Sequence, residues 1–247
     1  RQIHEARQGF NKAADGLDTV KLLTFYSVKT HQPIAYAKQP GNLPDVTSIS
    51  SALKQLDFLE LKHPLVVTDN GYYSQSNITE FTRNHTQFLT QGDMDVTWIQ
   101  EQFLAHREQL SSVRTICPWD HTIHGLTVPV KHDISWQRQR SRGGIKAGET
   151  VQEQHRYYLH FFLNRNNAAK DETRFVDKLL ELKDQVESNQ TLTERAQKQV
   201  DKYLIVKRRG QTVTVDFNDQ AIKEAGQKYG YFVLVTNKAM DCFEALR

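Results

Sequence analysis

Residues 64–78 read PLVVTDNGYYSQSNI, and this stretch places an acid where a buried strand should end. The apolar run predicts a strand, and Asp69, Asn70 and Gly71 follow it directly. In open α/β sheets, reactive groups collect at the carboxyl ends of strands, because the strand holds them rigidly beside a crevice. The pattern therefore marks Asp69 as a candidate catalytic residue. The alternative is that Asp69 only starts a turn or caps the next helix.

The segments around this strand predict an open α/β sheet with helices packed on it. Apolar periodicity and turn residues define the elements. They are hairpin strands at 20–28 and 33–37, a helix at 47–56, the strand ending at Asp69, a helix from Ser74 or Ser76 to Asn84, and a short strand at 86–90.

The middle of the chain has a different texture and is interpreted as a β-rich α+β insertion. Its predicted elements are a helix at 99–110, loops at 117–136, a strand at 155–164, an amphipathic helix at 171–188 with the stripe Phe175, Leu179, Leu180 and Leu182, and a hairpin at 202–217. The aromatic strand at 155–164 alternates poorly, which favours core packing over base stacking. A buried strand at 229–237 rejoins the first sheet. We therefore expect three parts: 1–94, 95–229 and 230–247.

Composition limits the function without naming it. The chain has 247 residues, 38% of them hydrophobic, a net charge of +3 and a pI of about 8.7. This mild basic bias permits a nucleic-acid partner and does not require one. Cys117 and Cys242 form no disulfide framework, and no apolar run approaches the roughly 18 residues of a membrane span. We expect a protein of the cytoplasm with no membrane partner.

Basic side chains cluster twice. The clusters are Arg138, Arg140, Arg142 and Lys146 in QRQRSRGGIK, and Lys207, Arg208 and Arg209 in VKRRG. Arginines on flexible or protruding segments suit contacts to DNA phosphates. The alternative for each cluster is a solvated charged face.

A zinc site is a further alternative, since Cys117, His121 and His124 occur in CPWDHTIH and His132 follows. Structural zinc takes four ligands in paired motifs, and no second cysteine pair is present. Ordinary loop histidines are the better interpretation.

Three ordered segments resemble the DDE transposases of bacterial insertion sequences, in the subgroup with a β-rich insertion. They are GFNKAADGL at 9–17, PIAYAKQPGNLPDVTSI at 33–49 and VVTDNGYYSQSNI at 66–78. The stretch YFVLVTN at 231–237 is similar to the strand that follows the insertion in these enzymes. An unrelated α/β hydrolase is disfavoured, because the chain has no G-x-S-x-G motif.

The resemblance implies an RNase H-like mixed sheet and an active site of two aspartates and a glutamate, in which Asp69 matches the second aspartate. It implies two Mg²⁺ ions, with Mn²⁺ as a substitute, held about 3.5 to 4 Å apart for phosphodiester chemistry. Hard Mg²⁺ prefers carboxylate oxygen, which suits Asp69. The implied activity is cleavage and transfer of double-stranded DNA at transposon ends and target, by a homodimer.

The sequence also departs from the family pattern. No match for the first aspartate is present, since Asp15 and Asp18 fall after the GFNK segment, and Glu244 lacks the Tyr and Arg that precede the family's glutamate. We therefore expect a fragment with Asp69 alone of the three acids, inactive by itself. The alternative is a catalytically inactive DNA-binding remnant of a transposase gene.

Overall fold

The computed structural model of the chain describes residues 6–9, 16–58, 64–138, 148–209 and 212–247. The strands are β1 (Val20–Ser27), β2 (Gln32–Pro40), β3 (Leu65–Thr68), β4 (Gln87–Gln91), β5 (Ile123–Gln137), β6 (Thr150–Asn164), β7 (Leu204–Arg209), β8 (Thr212–Phe217) and β9 (Tyr231–Thr236). The α-helices are α1 (Ile49–Phe58), α2 (Gln75–Arg83), α3 (Thr97–His106), α4 (Arg165–Glu187), α5 (Glu194–Tyr203), α6 (Asp219–Gly226) and α7 (Cys242–Leu246). Short 3₁₀ helices cover Asp45–Ser48, Asn70–Tyr72, Arg107–Ser111 and Val113–Thr115.

The largest sheet has five strands in the order β3-β4-β9-β6-β5. The β3–β4 pair is parallel and the other pairs are antiparallel, so the sheet is mixed. β9 lies between β4 and β6, and its Val233 and Val235 side chains are fully buried in the main core with Ile99 of α3. The mixed α/β fold is confirmed, and it is consistent with an RNase H-like sheet. The return of the strand at 231–236 to this sheet is confirmed as well.

The prediction of loops at 117–136 is wrong for most of that stretch. Strand β5 pairs with β6 residue by residue from Ile123 to Gln137. Its inward residues Val128 and Ile134 are buried, whereas the outward residues from Lys131 to Gln137 are polar and exposed. Pro129 and the polar outer face weaken the apolar pattern by which a strand is predicted from sequence. The strand forms because its backbone is hydrogen-bonded to β6.

Helices α2 and α3 pack on the sheet and close its core. Phe81 of α2 stacks on Phe88 of β4 with ring centroids 5.1 Å apart. Phe103 of α3 lies 5.9 Å from Phe161 of β6, and both rings are buried. Core packing of the aromatic strand is therefore confirmed.

Side chains at the end of β9 bind the start of β4. Asn237 Oδ1 accepts a hydrogen bond from Phe88 N at 3.0 Å, and its Nδ2 donates to Thr86 O at 2.9 Å. The Thr236 hydroxyl donates to Phe88 O. These contacts continue the strand pairing past the last backbone pair and fix the register of β4 on β9.

A second, smaller core lies under the β7–β8 hairpin. Its buried residues come from α4, α5, β7 and β8, namely Leu182, Val186, Val200, Leu204 and Val215. The predicted hairpin is confirmed as β7–β8, with residues 210–211 outside the described part. The predicted stripe of α4 is wrong at Leu180, which is 49% exposed, because the helix turns Leu179 and Leu182 inward instead.

The predicted hairpin is present as β1–β2, but its predicted place in the open α/β sheet is wrong, because β1 and β2 pair only with each other in the described structure. One face carries large apolar side chains that contact solvent, with Leu22 58% and Tyr36 64% exposed. At its end, Gly9 lies so close to Gly41 that a Cβ on Gly9 would approach Gly41 O to 2.1 Å. The hairpin therefore requires glycine at this contact.

Candidate active site

Asp69 is the residue directly after β3, at the end of the five-stranded sheet where the carboxyl ends of the parallel strands β3 and β4 lie. Its side chain is exposed, and Oδ1 accepts a hydrogen bond from Asn70 N at 2.5 Å. The residue thereby caps the 3₁₀ helix Asn70–Tyr72. The capping role anticipated as the alternative is present, and the same carboxylate still faces solvent.

The loop that carries Asp69 is anchored from the helix side. Ser74 caps α2, because its hydroxyl accepts from Asn77 N at 3.0 Å. The Asn77 side chain donates back to Tyr72 O at 2.7 Å. Ile78 and Phe81 then bury the inner face of α2 in the main core. These contacts hold Asp69 between a paired strand and a packed helix, which suits a group that must keep a fixed position.

A second acid lies at the same edge. Strands β3 and β4 are parallel, so Asp93, two residues past β4, falls on the edge that Asp69 occupies. Burial, with the charge of Asp93 as a smaller contribution, raises the pKa of Tyr73 to about 12. Asp93 Oδ1 accepts from Asp95 N at 2.8 Å and so also closes a turn. Sequence reasoning missed Asp93, although an acid after the strand at 86–90 repeats the signal that marked Asp69.

The other acids considered from the sequence lie elsewhere. Strand β9 runs antiparallel to β4, so α7 with Glu244 begins at the opposite edge of the sheet from Asp69. Glu244 is exposed, in agreement with its interpretation as helix surface. Asp18 is exposed in the segment before β1, and Asp15 lies outside the described residues.

Asp69 is the described residue that best suits a divalent metal ion at this end of the sheet. A pair of Mg²⁺ ions needs several carboxylate oxygens, and the exposed Asp69 offers the right atom type. Within the described ranges, no three His, Cys, Asp or Glu side chains lie close enough to share a metal ion. The described residues therefore offer Asp69 as one suitable oxygen donor and do not form a complete set of metal ligands.

The zinc alternative receives no support. His124 is buried, its Nδ1 lies 3.2 Å from Thr115 Oγ1, and its Nε2 accepts from Arg165 Nε at 3.1 Å. Both ring nitrogens are thus occupied, and neither can bind a metal without breaking a hydrogen bond.

The described members of the two basic clusters lie on different sheets. Arg138 directly follows β5, while Arg140, Arg142 and Lys146 lie outside the described residues. Lys207 and Arg208 are exposed on β7, and Arg209 is its last residue. The structure thus places the described members at the far end of the β5–β6 pair and on the β7–β8 hairpin, respectively.

Comparison with protein families gave one decisive finding. The family model described as Transposase DDE domain matches residues 1–224 of the 247. The chain belongs to this family. No curated protein and no solved structure matched the chain.

Membership makes the protein a DNA transposase and an enzyme of the polynucleotidyl transferase class. The family uses divalent metal ions and binds DNA, which agrees with an exposed carboxylate at a strand end. The match contains β1 to β8, and residues 225–247 with β9 and α7 lie outside it. None of the helices in the described part of this transposase is both long and apolar enough to cross a membrane.

Proposed function

We propose that Asp69 is a metal-binding catalytic residue of this transposase and takes part in DNA strand cleavage and transfer at insertion-sequence ends. One observation carries the proposal. The carboxylate is exposed at the carboxyl end of β3, in the motif that matches the family's second aspartate, and both flanking elements are anchored. A rigid strand end can hold a carboxylate in one place through a reaction.

The proposed cofactor is a pair of Mg²⁺ ions, with Mn²⁺ able to replace them. When bound, such ions activate a water or 3′-hydroxyl and stabilise the leaving oxygen of a phosphodiester. Asp69 would give one hard oxygen ligand. Its hydrogen bond from Asn70 N orients the carboxylate and leaves the other oxygen open to a cation.

We further propose that the basic clusters hold the DNA. Arginine and lysine at strand ends and hairpins contact phosphates without reading sequence. The residues are Arg138, Arg140, Arg142, Lys146, Lys207, Arg208 and Arg209.

We also propose how the chain divides into parts and how the protein assembles. We propose that the catalytic core is residues 1–94 with the return segment 230–247 and that residues 95–229 are the insertion. The pairing of β9 with β4 supports the return segment, and the insertion contributes β5 and β6 to the same sheet. By family resemblance, the transposase works as a homodimer on paired ends, in the cytoplasm.

The test of Asp69 compares Asp69→Asn with Asp177→Asn, which removes an exposed carboxylate on α4. In a version of the chain that carries all three acids of the family's active site, we expect Asp69→Asn to lower Mg²⁺-dependent cleavage of duplex DNA carrying the element's ends by about a thousandfold, since metal ligation supplies several kcal/mol. Asp177→Asn should retain most activity. Electron paramagnetic resonance of bound Mn²⁺ should show the same contrast. Equal cleavage and equal Mn²⁺ binding by wild type and Asp69→Asn would remove Asp69 from the site.

A further inference from the structure

Two cations face each other across the β5–β6 pair. Lys131 of β5 is directly opposite Arg156 of β6 in the antiparallel register. Directly opposed side chains have Cβ atoms about 4.5 to 5.5 Å apart, and like charges in this position destabilise the pair. Both side chains are exposed. The strands thus carry an unfavourable charge pair on their solvent face.

No described acid forms a direct ion pair with either cation, and the single carboxylate of Asp133, two residues from Lys131 on the same face, leaves this part of the surface with a net positive charge. Neither Lys131 nor Arg156 makes an ion pair or hydrogen bond with another described side chain. The nearest acid on the same face, Asp133, accepts a hydrogen bond from Gln154 Nε2 at 3.1 Å. An external anion would therefore meet two free cations.

The surface around the pair is polar and exposed. Beyond the last pair with β9 at Tyr158, the β5–β6 strands continue for eight residues of β6, Thr150–Tyr157, or about 26 Å at 3.3 Å per residue. The outward residues of this stretch are exposed, and here they are called the outer strip: Lys131, Asp133, Ser135, Gln137, Thr150, Gln152, Gln154 and Arg156.

Helix α2 covers the other face of the same stretch. The Thr82 hydroxyl lies 2.8 Å from the Tyr157 hydroxyl, and Arg83 lies over the Trp136 ring at 5.3 Å. The outer strip is therefore held in place, and its hydroxyl and amide groups are the neutral side chains that contact DNA phosphates.

We propose that the outer strip binds the phosphate backbone of double-stranded DNA through Lys131 and Arg156. The inference rests on the proposed DNA contacts and adds two residues to them. A row of phosphates offsets the repulsion between the two cations, and the strip leads directly to Arg138 at the end of β5. Guanidinium and ammonium groups beside amide donors suit a backbone contact that reads no sequence.

The test measures binding of a fluorescent 30-base-pair duplex of random sequence at increasing salt. We expect the double variant Lys131→Gln/Arg156→Gln to reduce the slope of log K against log salt by about 1.8, since each phosphate contact contributes about 0.9. The control Lys170→Gln/Lys223→Gln removes two exposed helix lysines and should leave the slope at the wild-type value.

In thermal unfolding, the same substitutions should raise stability although they weaken DNA binding. Arg156→Gln should raise Tm by about 1 to 3 °C, because it removes a like-charge pair. Arg156→Glu should raise it further and weaken DNA binding more strongly. A stabilised variant that binds DNA less well is the signature of a charge pair kept for an external anion.

The outcomes separate this proposal from the previous one. An unchanged salt slope in the double variant would overturn the outer strip, while loss of cleavage in Asp69→Asn would still support the active site. Self-association of the double variant with an unchanged slope would assign the two cations to protection of strand edges and would also overturn the proposal.

Discussion

The β5–β6 pair and the β1–β2 pair are both antiparallel, and both contain β-branched and aromatic residues. In β6, the run from Leu159 to Leu163 is buried throughout. In β1, no residue is fully buried, and Leu22 and Tyr26 are more than half exposed. Similar compositions therefore produce a core strand in one place and, in the other, a strand with one exposed and one partly buried face.

The difference lies in what covers each pair. β6 has β9 on one edge, β5 on the other and α3 against its inner face. In the described structure, β1–β2 is a two-stranded sheet, and such a hairpin has little stability without further packing. Strand propensity thus measures how well a side chain suits a covered surface, and tertiary contacts decide whether that surface exists.

The largest test of this comparison truncates one aromatic ring in each pair. Phe161→Ala should lower the free energy of unfolding by about 3 to 5 kcal/mol, because it leaves a cavity beside Phe103. Tyr36→Ala should cost less than about 1 kcal/mol, since the ring is mostly in water. Urea unfolding followed by circular dichroism measures both. Equal losses would show that the hairpin face is covered in solution.

A second test uses pH. His160 on β6 is fully buried, and burial lowers its pKa from 6.5 to about 4. The folded protein keeps the ring neutral while the unfolded chain takes up a proton, so stability is full above pH 6.5 and falls towards pH 4. The loss from this residue should approach about 3 kcal/mol.

The matched variants are His160→Gln in the sheet and His31→Asn at the exposed turn of the β1–β2 hairpin, where asparagine tolerates the φ of 54°. Urea unfolding between pH 4 and 7 should show a flatter pH dependence for His160→Gln than for the wild type, and His31→Asn serves as the control for replacing an exposed histidine. A wild-type slope in His160→Gln would contradict the assignment.

The smallest effect concerns two tyrosine hydroxyls. Thr82 Oγ1 donates to Ile78 O at 2.8 Å, so the Tyr157 hydroxyl is the donor to Thr82. Tyr157→Phe should cost about 1 kcal/mol, because the bond is buried. Tyr26→Phe loses an exposed bond to His31 O, which water replaces, and should cost a few tenths at most. The same urea assay compares them, and a larger cost at Tyr26 would reverse the interpretation.

Local patterns were enough to predict much of the fold. The strand before Asp69, the α2 helix with its Ser74 cap and the β7–β8 hairpin follow from apolar periodicity and turn residues. Strand β5 was missed because its outer face is polar and contains Pro129, and only its partner β6 makes it a strand. The order of the five strands also depends on contacts between distant segments, which periodicity does not report.

Some residues of the candidate site could be identified from local sequence, and others only from the pairing of distant strands. Asp69 could be identified because strand, acid and glycine are adjacent in the sequence. Asp93 also follows a strand in the sequence, but only the parallel pairing of β3 with β4 shows that it lies at the same end of the sheet as Asp69. Lys131 and Arg156 are 25 residues apart, and no local pattern relates them until the register places one opposite the other.

The contacts between Asn237 and the start of β4 form late in synthesis, because the ribosome must first add the residues between them. Phe88 and Asn237 are 149 residues apart, so at about 5 to 20 residues per second the ribosome needs roughly 7 to 30 s to supply the partner of β4. During that interval the inner edge of β4 is an open row of backbone donors and acceptors. The nascent transposase therefore passes through a long stage in which β3 and β4 can pair with another chain, and its yield should depend on chaperone supply and on temperature.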